Sequence, residues 1–359
     1  MIQSVKLLCK DLREWILLEK YRGKSLTRIL LSSLPRKSVL KLYALIAGFV
    51  NNHFLIYLLN AKRFQEFQNF HQDKLGNHFY IIVMPNILPY LVPCLKLIPK
   101  HINLFLILNG ADQWEENFLK NSYDDLPIFK LNLLPSSSLS HGRLLNLLLT
   151  HNQYNFGIID HDLYIFNKDI FNQLHFKSDE FIIGIYKLTN TISQLIFPTT
   201  HFLFFNLIPI KNIMLKYKIG AQKYRIIPSH LKNKLAILNL GYHNFLKGYL
   251  NYFDTLNLIM AMAFYEKLSA KIFELDHFID VYHLGGTSHG PDNLYRTYRT
   301  LKFLEMASNY LLREEYFNHF SSFNSSKDMV KLFPDDINSR NFIHRTDQLI
   351  EKLENFLQK

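Results

Sequence analysis

Four short aliphatic runs, each closed by a polar or proline-rich break, constrain the fold of this 359-residue chain more than any other feature. Such runs are typical of strands buried on both faces, which read as continuous apolar segments. They occupy residues 79–84, 103–108, 128–134 and 157–159. Short helical segments separate them, so the pattern predicts βαβ units and a mostly parallel sheet with flanking helices. The expected fold class is therefore α/β.

Polar residues cluster where these strands end, which is where ligands gather in parallel sheets. Asp160 and Asp162 follow the fourth run directly. Two carboxylates at the mouth of a buried strand suit Mg²⁺ or Mn²⁺, which prefer oxygen ligands and often bridge a diphosphate. An Asp-x-Asp spacing also arises by chance, so its position after a buried strand carries the argument. The placement favours sugar transfer from a nucleotide-activated donor.

Positive charge is concentrated at the start of the chain. The net charge is +11, and residues 1–70 contain 12 Lys and Arg against four acidic residues. These residues also have apolar positions at helical spacing, a combination that favours an anionic membrane surface. The alternative is a solvated face on an ordinary helical cap. No fold signature of a nucleic-acid-binding protein accompanies the charge, so nucleic acid is not an expected partner.

Cysteine usage and apolar segments bound the compartment. Cys9 and Cys94 exclude a disulfide framework and a cysteine-based zinc site. Residues 42–59 are apolar, but Asn51, Asn52 and His53 would lie at the centre of a membrane span, where polar groups are costly. We therefore expect a buried or interfacial helix there. The expected location is cytoplasmic, peripheral at the inner face of the membrane.

The order of these motifs resembles glycosyltransferases of the GT-A fold, specifically the family 2-like group, over about residues 78–290. The resemblance implies a basic helical region at 1–70, a nucleotide-sugar-binding catalytic domain at 78–290 and a helical region at 291–359. The residues that carry it are Pro85 after the first strand, Asn109-Gly110-Ala111-Asp112 after the second, His141-Gly142-Arg143 with Asn146, Asp160-His161-Asp162, and His283-Leu284-Gly285-Gly286.

The resemblance implies a metal-dependent, inverting, hexosyltransferase-like enzyme. It would move a sugar from a nucleoside-diphosphate donor to a glycan or lipid-linked acceptor hydroxyl, in cell-surface polysaccharide synthesis. Asp162 would hold Mn²⁺ or Mg²⁺, with Asp160 near the ribose or the metal and His283 as a third ligand or diphosphate contact. The alternatives are a turn cap for Asp160 and a structural role for His283. His161 is expected to pack or to form a hydrogen bond.

The residues expected to bind the donor lie at strand ends and at one helix N-terminus, where backbone amides favour anions. For Arg143 the alternative is a surface salt bridge, for Asn146 a solvent contact, and for Asn109 and Asp112 an Asx-turn. Ser140 is expected to cap the helix. The full donor set is Pro85, Asn109, Asp112, His141, Gly142, Arg143, Asn146 and Asp160.

The catalytic base departs from the family pattern, because the Glu-Asp pair usual before the catalytic helix is absent. Asp254 is its nearest replacement, and a carboxylate at a helix start facing a pocket suits proton transfer. The alternative is an N-cap aspartate for a helix over residues 255–268. The missing pair also leaves open an inactive sugar-nucleotide-binding protein or a membrane-surface scaffold. Nucleotidyl transfer is disfavoured, because no glycine-rich phosphate loop with lysine occurs early in the domain.

Overall fold

A computed structural model describes residues 54–134, 138–189, 194–224, 226–240, 253–285, 287, 294–307 and 325–358. Within them the chain alternates between strands and helices, as the aliphatic runs predict. The strands are β1 (His78–Val83), β2 (Leu104–Leu108), β3 (Ile128–Lys130), β4 (Phe156–Ile159), β5 (Leu163–Ile165), β6 (Glu180–Ile185), β7 (Lys187–Thr189), β8 (Ile196–Pro198), β9 (Phe202–Phe205), β10 (Ser269–Phe273) and β11 (Val281–His283).

Seven of these strands form one sheet, in the order β10-β6-β9-β4-β1-β2-β3. β1 pairs in parallel with both β2 and β4, while β9 runs antiparallel between β4 and β6. The chain thus leaves β1 in one direction for β2 and β3 and returns to its other side for β4. Such a switch point opens a crevice at the carboxyl ends of the strands. The prediction of a mostly parallel α/β sheet is confirmed.

Helices cover both faces of this sheet. They are α1 (Phe54–Phe70), α2 (Leu88–Leu97), α3 (Gln113–Ser122), α4 (His141–His151), α5 (Leu207–Tyr217), α6 (Lys232–Ile237), α7 (Asn257–Tyr265), α8 (Leu294–Met306), α9 (Ser326–Val330) and α10 (Ile337–Leu357). Residues of α1, α4, α5 and α7 share one buried apolar cluster, and residues of α2, α8 and α10 share another. The C-terminal region is helical where it is described.

Three element boundaries differ from the sequence-based expectation. β3 ends at Lys130 instead of extending to residue 134. The helix expected over 255–268 is shorter, because Leu256 has φ +68° and Lys267 has φ +63°, and a right-handed helix includes neither conformation. Residues 278–282, whose sequence is also typical of a strand, contribute only the start of β11, which begins at Val281 because Phe278 has φ +90°.

A buried polar network ties α1 to the sheet. His78 Nε2 lies 3.0 Å from the Tyr80 hydroxyl and 3.2 Å from Asn152 Oδ1, and Gln68 of α1 donates to both of those partners. The backbone amide of Gly76 donates to His78 Nδ1, so the ring is neutral with its proton on Nε2. Burial lowers the pKa of His78 to about 4, against an opposing hydrogen bond from Asn152.

Among the residues described, no helix combines the length and the apolar character needed to cross a membrane. Residues 1–53, which include most of the apolar segment 42–59, lie outside the described residues. Gly286 and residues 288–290 of the C-terminal glycine motif lie outside them as well.

Candidate metal and donor site

Strand pairing brings Asp160 and His201 together at the carboxyl edge of β4. Asp160 follows β4, and His201 immediately precedes β9, its antiparallel neighbour. The backbone amide of Asp160 donates to the carbonyl of His201 at 2.8 Å. The side chains also meet, with His201 Nδ1 3.0 Å from Asp160 Oδ2.

The antiparallel pair of β5 and β11 delivers the third group, His283. His283 pairs with Leu163, so its side chain arrives beside the two aspartates that precede β5. His283 Nε2 lies 3.3 Å from Asp162 Oδ1 and 3.6 Å from Asp160 Oδ2. Gly285 then takes φ +70°, a conformation that favours glycine and turns the chain directly after this strand.

The donor atoms of this cluster fit a divalent cation. One ligand atom each of Asp160, His201 and His283 lies within 4.8 Å of the other two. Asp162 contributes a further carboxylate oxygen beside His283. A set with two imidazole nitrogens suits Mn²⁺ better than Mg²⁺, which prefers oxygen ligands alone.

A hydrogen-bond chain fixes the Asp162 carboxylate. The Thr287 hydroxyl donates to Asp162 Oδ2 at 2.8 Å, and His161 Nε2 lies 2.8 Å from the same hydroxyl oxygen. Since the hydroxyl proton points to Asp162, His161 Nε2 donates to Thr287. His161 thus forms a hydrogen bond behind the candidate metal ligands, the role expected for it from the sequence.

Electrostatics within the cluster favour ionised carboxylates. Burial alone would raise the pKa of Asp162, but the hydrogen bond and charge of His283 together lower it below its usual range. The pKa of Asp160 is also lowered, because the His201 hydrogen bond and nearby histidines outweigh burial. Burial would lower the pKa of His283, yet both aspartates raise it above the ordinary histidine value. The site is therefore built to hold positive charge.

His141 connects this cluster to Asp254. Burial lowers the pKa of His141, while the charges of Asp160 and Asp254 both act to raise it, so both carboxylates lie within electrostatic range of one imidazole. His141 Nε2 is buried and has no hydrogen-bond partner among the described residues. A buried polar atom without a partner at a helix N-terminus fits a site for a ligand.

Asp254 follows a two-residue bridge in which Phe253 and Tyr224 exchange backbone hydrogen bonds. Its Oδ1 accepts from the Thr255 amide at 2.9 Å and lies 3.4 Å from Lys223 Nζ. The N-cap position of α7 is Leu256, so Asp254 is not the N-cap of that helix, which was the structural alternative for it. Its half-buried carboxylate is held on the α4 side of the crevice.

Gly142 and Asn146 hold α4 against the segment that precedes Lys223. A Cβ on Gly142 would lie 2.6 Å from Gln222 Cα, so only glycine permits this approach. Asn146 Oδ1 accepts from the Ala221 amide, and its Nδ2 donates to Gln222 Oε1, both at 2.6 Å. Asn146 is half-buried and joins α4 to the 221–222 backbone through these two hydrogen bonds. Ser140 occupies the N-cap position of α4, but its side chain makes no capping hydrogen bond.

Three other residues expected to bind the donor, Asn109, Asp112 and Pro85, lie at the ends of strands or at a helix start. Asn109 is buried, and its carboxamide is engaged by both backbone groups of Leu139. Asp112 is the N-cap of α3 in a capping box with Glu115. Asp112 thus makes a local contact at the helix start, whereas the partner of Asn109 is 30 residues away and forms no Asx-turn. Donor binding by either residue stays a prediction. Pro85 lies half-buried after β1, as expected.

The sequence reasoning did not identify His201 or Arg299. His201 directly precedes an aliphatic strand, β9. Its position indicates a site residue only when the pairing of β9 with β4 is known. Arg299 of α8 donates to the carbonyl oxygens of Leu284 and Gly285 at 3.4 and 3.0 Å. It therefore secures the segment that links His283 to Thr287. Arg143 lies near Tyr57 of α1. Burial raises the pKa of the Tyr57 phenol, and the charge of Arg143 opposes this rise.

The chain is similar to one family model and to several solved structures. Residues 58–210 match the family model of the StrH glycosyltransferase N-terminal domain. No curated protein matches. Among solved structures, mannosyltransferase PcManGT from Pyrobaculum calidifontis, in complex with GDP-Man and Mn²⁺, is 10% identical; the match covers 86% of this chain and 94% of that one, with a TM-score of 0.35. TarS 1–349 from S. aureus with UDP-GlcNAc is 15% identical, covering 78% and 86%, with a TM-score of 0.33.

The family-model match spans β1 to β9 and therefore includes Asp160, Asp162 and His201. The match identifies a glycosyltransferase domain at residues 58–210, in agreement with the predicted enzyme class.

Proposed function

We propose that this enzyme transfers a sugar from a nucleoside-diphosphate donor to a hydroxyl group of a glycan or lipid-linked acceptor, with inversion at the anomeric carbon and dependence on a divalent cation. The observation that supports it is the grouping of Asp160, Asp162, His201 and His283 at the crevice, with His141 within electrostatic range of both Asp160 and Asp254. The carboxyl edge of the sheet is where a nucleotide-binding α/β fold accepts its ligand.

Asp160, His201 and His283, assisted by Asp162, would hold Mn²⁺ or Mg²⁺, with their two imidazoles favouring Mn²⁺. The bound cation would supply Lewis-acid stabilisation for the departing diphosphate. Thr287 and His161 orient Asp162, and His201 orients Asp160. These contacts prevent the two carboxylates from swinging out of the site.

His141 and Arg143 at the start of α4 would contact the diphosphate of the donor. Burial keeps His141 neutral at physiological pH by lowering its pKa, so its buried Nε2 is suited to a hydrogen bond with a ligand oxygen. Arg143 adds a positive charge on the first turn of the same helix. Gly142 and Asn146 support this turn from behind through the 221–222 backbone.

Asp254 would act as the general base. As the acceptor oxygen forms its bond to the anomeric carbon, the acceptor proton passes to the Asp254 carboxylate, and the bond from that carbon to the donor diphosphate breaks. The nucleoside diphosphate leaves with the bonding electron pair. Attack from the face opposite the leaving group inverts the configuration. One positioned base of this kind typically contributes about 10²–10⁴-fold to the rate.

The proposed setting is synthesis of a cell-surface polysaccharide at the cytoplasmic face of the membrane. Residues 1–70, with 12 Lys and Arg against four acidic residues, would dock the enzyme on anionic lipid. An acceptor anchored in the same membrane would then meet the crevice at the bilayer surface.

The test is donor turnover by Asp254→Asn. Asn removes the base but keeps the shape of the side chain, so nucleotide binding should be unchanged while sugar transfer and slow donor hydrolysis fall by about 10²-fold or more. Asp124→Asn, at an exposed aspartate after α3, is the matched control. Full activity of Asp254→Asn would place the base elsewhere. Wild-type protein that binds a nucleotide sugar but turns over none would indicate a binding scaffold.

A further inference from the structure

An unusual charge pattern marks the middle of the chain. Residues 181–253 contain no aspartate or glutamate, although the chain has 30 acidic residues in total. The same segment contains nine basic residues: Lys187, Lys211, Lys216, Lys218, Lys223, Arg225, Lys232, Lys234 and Lys247. This excess is distinct from the basic region at 1–70 and belongs largely to the folded domain.

Large aliphatic side chains are exposed within this acid-free segment. Ile208 and Leu215 lie seven residues apart on α5 and therefore share one face, and they are 74% and 76% exposed. Ile226 is 55% exposed in the connection that follows, and Ile237 at the end of α6 is 69% exposed. Single exposed aliphatic residues are ordinary. Four of them on α5, α6 and the chain between these helices, interspersed with lysines, call for an explanation.

The helices that carry the exposed residues are neighbours in the fold. α5 and α6 both contact α7, and His230 Nε2, in the turn before α6, lies 2.9 Å from the carbonyl oxygen of Tyr217 at the end of α5. Exposed Lys218 and Lys232 lie between the aliphatic positions along the chain. We call this surface the basic apolar face and define it by Ile208, Leu215, Lys218, Ile226, Lys232 and Ile237.

Neighbouring charges leave the face positive. Lys216 forms a 2.7 Å ion pair with Glu266, which follows α7 and is the acidic residue on this border. Lys211 donates to the carbonyl oxygen of Asn152 and is in helical register with Ile208 and Leu215. Glu266 therefore neutralises the charge of Lys216 alone.

We propose that the basic apolar face docks on a bilayer of anionic lipids. Lysines attract an anionic surface, and aliphatic side chains gain from leaving water for the acyl boundary. A soluble polyanion would use the lysines but would offer nothing to Ile208, Leu215 and Ile237. The combination of both features on α5 and α6 therefore favours lipid over nucleic acid or an anionic polymer.

The position of the face relative to the crevice fits this role. β9 begins at the crevice with His201 and runs away from it, so α5 returns towards the crevice. The chain after α5 supplies Ala221 and Gln222, which contact Asn146 of α4, and then Lys223, which pairs with Asp254. Docking of α5 and α6 would thus bring the crevice next to the bilayer. The inference concerns a surface other than residues 1–70 and does not depend on the proposed catalysis.

The test is co-sedimentation of the full chain with vesicles of phosphatidylcholine, alone or mixed with phosphatidylglycerol. Wild-type protein should bind the anionic vesicles and lose binding in high salt. The double variant Ile208→Ser/Leu215→Ser and the double variant Lys218→Glu/Lys232→Glu should each bind at least about tenfold more weakly. Matched controls are Leu332→Ser/Ile337→Ser and Lys100→Glu/Lys331→Glu, which alter exposed residues on other surfaces.

Three outcomes would overturn the proposal. Wild-type affinity in both double variants would show that the face does not contact lipid. Equal binding to neutral and anionic vesicles would remove the electrostatic part. Loss of binding in the lysine variant alone, with competition by soluble polyphosphate, would assign the face to a polyanion. Nucleotide-dependent thermal stabilisation, measured on the same variants, should stay unchanged, which separates this result from any failure of the proposed catalysis.

Discussion

His201 and His283 stack on one another with ring centroids 3.5 Å apart and an interplanar angle of 23°. One ring precedes β9 and the other ends β11, and both face the same oxygen of Asp160, at 3.0 and 3.6 Å. The two rings therefore hold their nitrogens beside one carboxylate oxygen. A divalent cation bound by neutral imidazoles would supply positive charge beside that carboxylate.

Replacing His201 with glutamine should weaken Mn²⁺ binding by at least about tenfold, because one ligand atom and the orienting partner of Asp160 are lost together. Calorimetric titration of Mn²⁺ into the purified protein measures this. The exposed His175→Gln change serves as the control and should have no effect. Equal Mn²⁺ affinity in His201→Gln and wild type would remove His201 from the metal site.

Arg299→Lys should lower Mn²⁺ affinity by about tenfold without unfolding the protein, because one ammonium cannot reproduce the two hydrogen bonds to the carbonyls of Leu284 and Gly285. These bonds position the segment between His283 and Thr287. The comparison variant is Arg340→Lys on α10, whose partner Asp335 is fully exposed and whose loss should be neutral. An Arg299→Lys protein with unaltered Mn²⁺ titration would show that the segment is held by other contacts.

Gly142→Ala should cost about 1–3 kcal/mol of unfolding free energy, because the new Cβ would lie 2.6 Å from Gln222 Cα and the backbone must move. Ser140→Ala should change stability little, since the Ser140 side chain makes no capping bond to α4. Urea unfolding of the two variants gives both values. A larger loss for Ser140→Ala than for Gly142→Ala would contradict the packing described around the first turn of α4.

Stability should fall on acidification through His78. Its pKa is lowered to about 4 in the folded protein by burial, against about 6.5 when unfolded. Between these values the unfolded chain binds the extra proton, so the contribution of neutral His78 is fully present above pH 6.5 and is lost as the pH approaches 4. The total is about 3 kcal/mol.

Urea midpoints of wild type and His78→Gln, measured from pH 7.5 down to about pH 4.5, check this titration. The variant lacks the titrating ring, so its stability should depend less on pH over this window. Parallel pH profiles for the two proteins would mean that the ring is not buried in its neutral form.

The aliphatic runs predicted β1, β2 and β4 well, because strands buried on both faces leave an uninterrupted apolar signal. The boundaries of α7 were missed, since the left-handed conformations of Leu256 and Lys267 have no signal in residue type. The length of β3 was overestimated for a related reason. Its apolar run continues to residue 134, but pairing with β2 ends at Lys130.

Residues at the site were predictable only in part. Asp160, Asp162 and His283 lie together as the resemblance implied. His201 was missed because its meeting with Asp160 depends on β9 lying beside β4, a pairing that no local pattern encodes. Asn109 and Asn146 were identified from the sequence, but the partners of their side chains were not. A carboxamide at a strand end or on a helix has the same sequence signature whether or not it binds a distant backbone segment, as these two bind Leu139 and Ala221. Donor binding by either residue stays a prediction.

The most direct test of the central claim is thermal unfolding of the purified protein with UDP, GDP, dTDP or CDP, each with and without Mn²⁺, in wild type and in Asp162→Asn. A ligand at about 100 times its Kd adds about 2.7 kcal/mol, which a melting curve resolves. A metal-dependent nucleotide-sugar site predicts stabilisation by one nucleotide that requires Mn²⁺ and is lost in Asp162→Asn. No shift with any nucleotide, or an equal shift in the variant and without Mn²⁺, would contradict it.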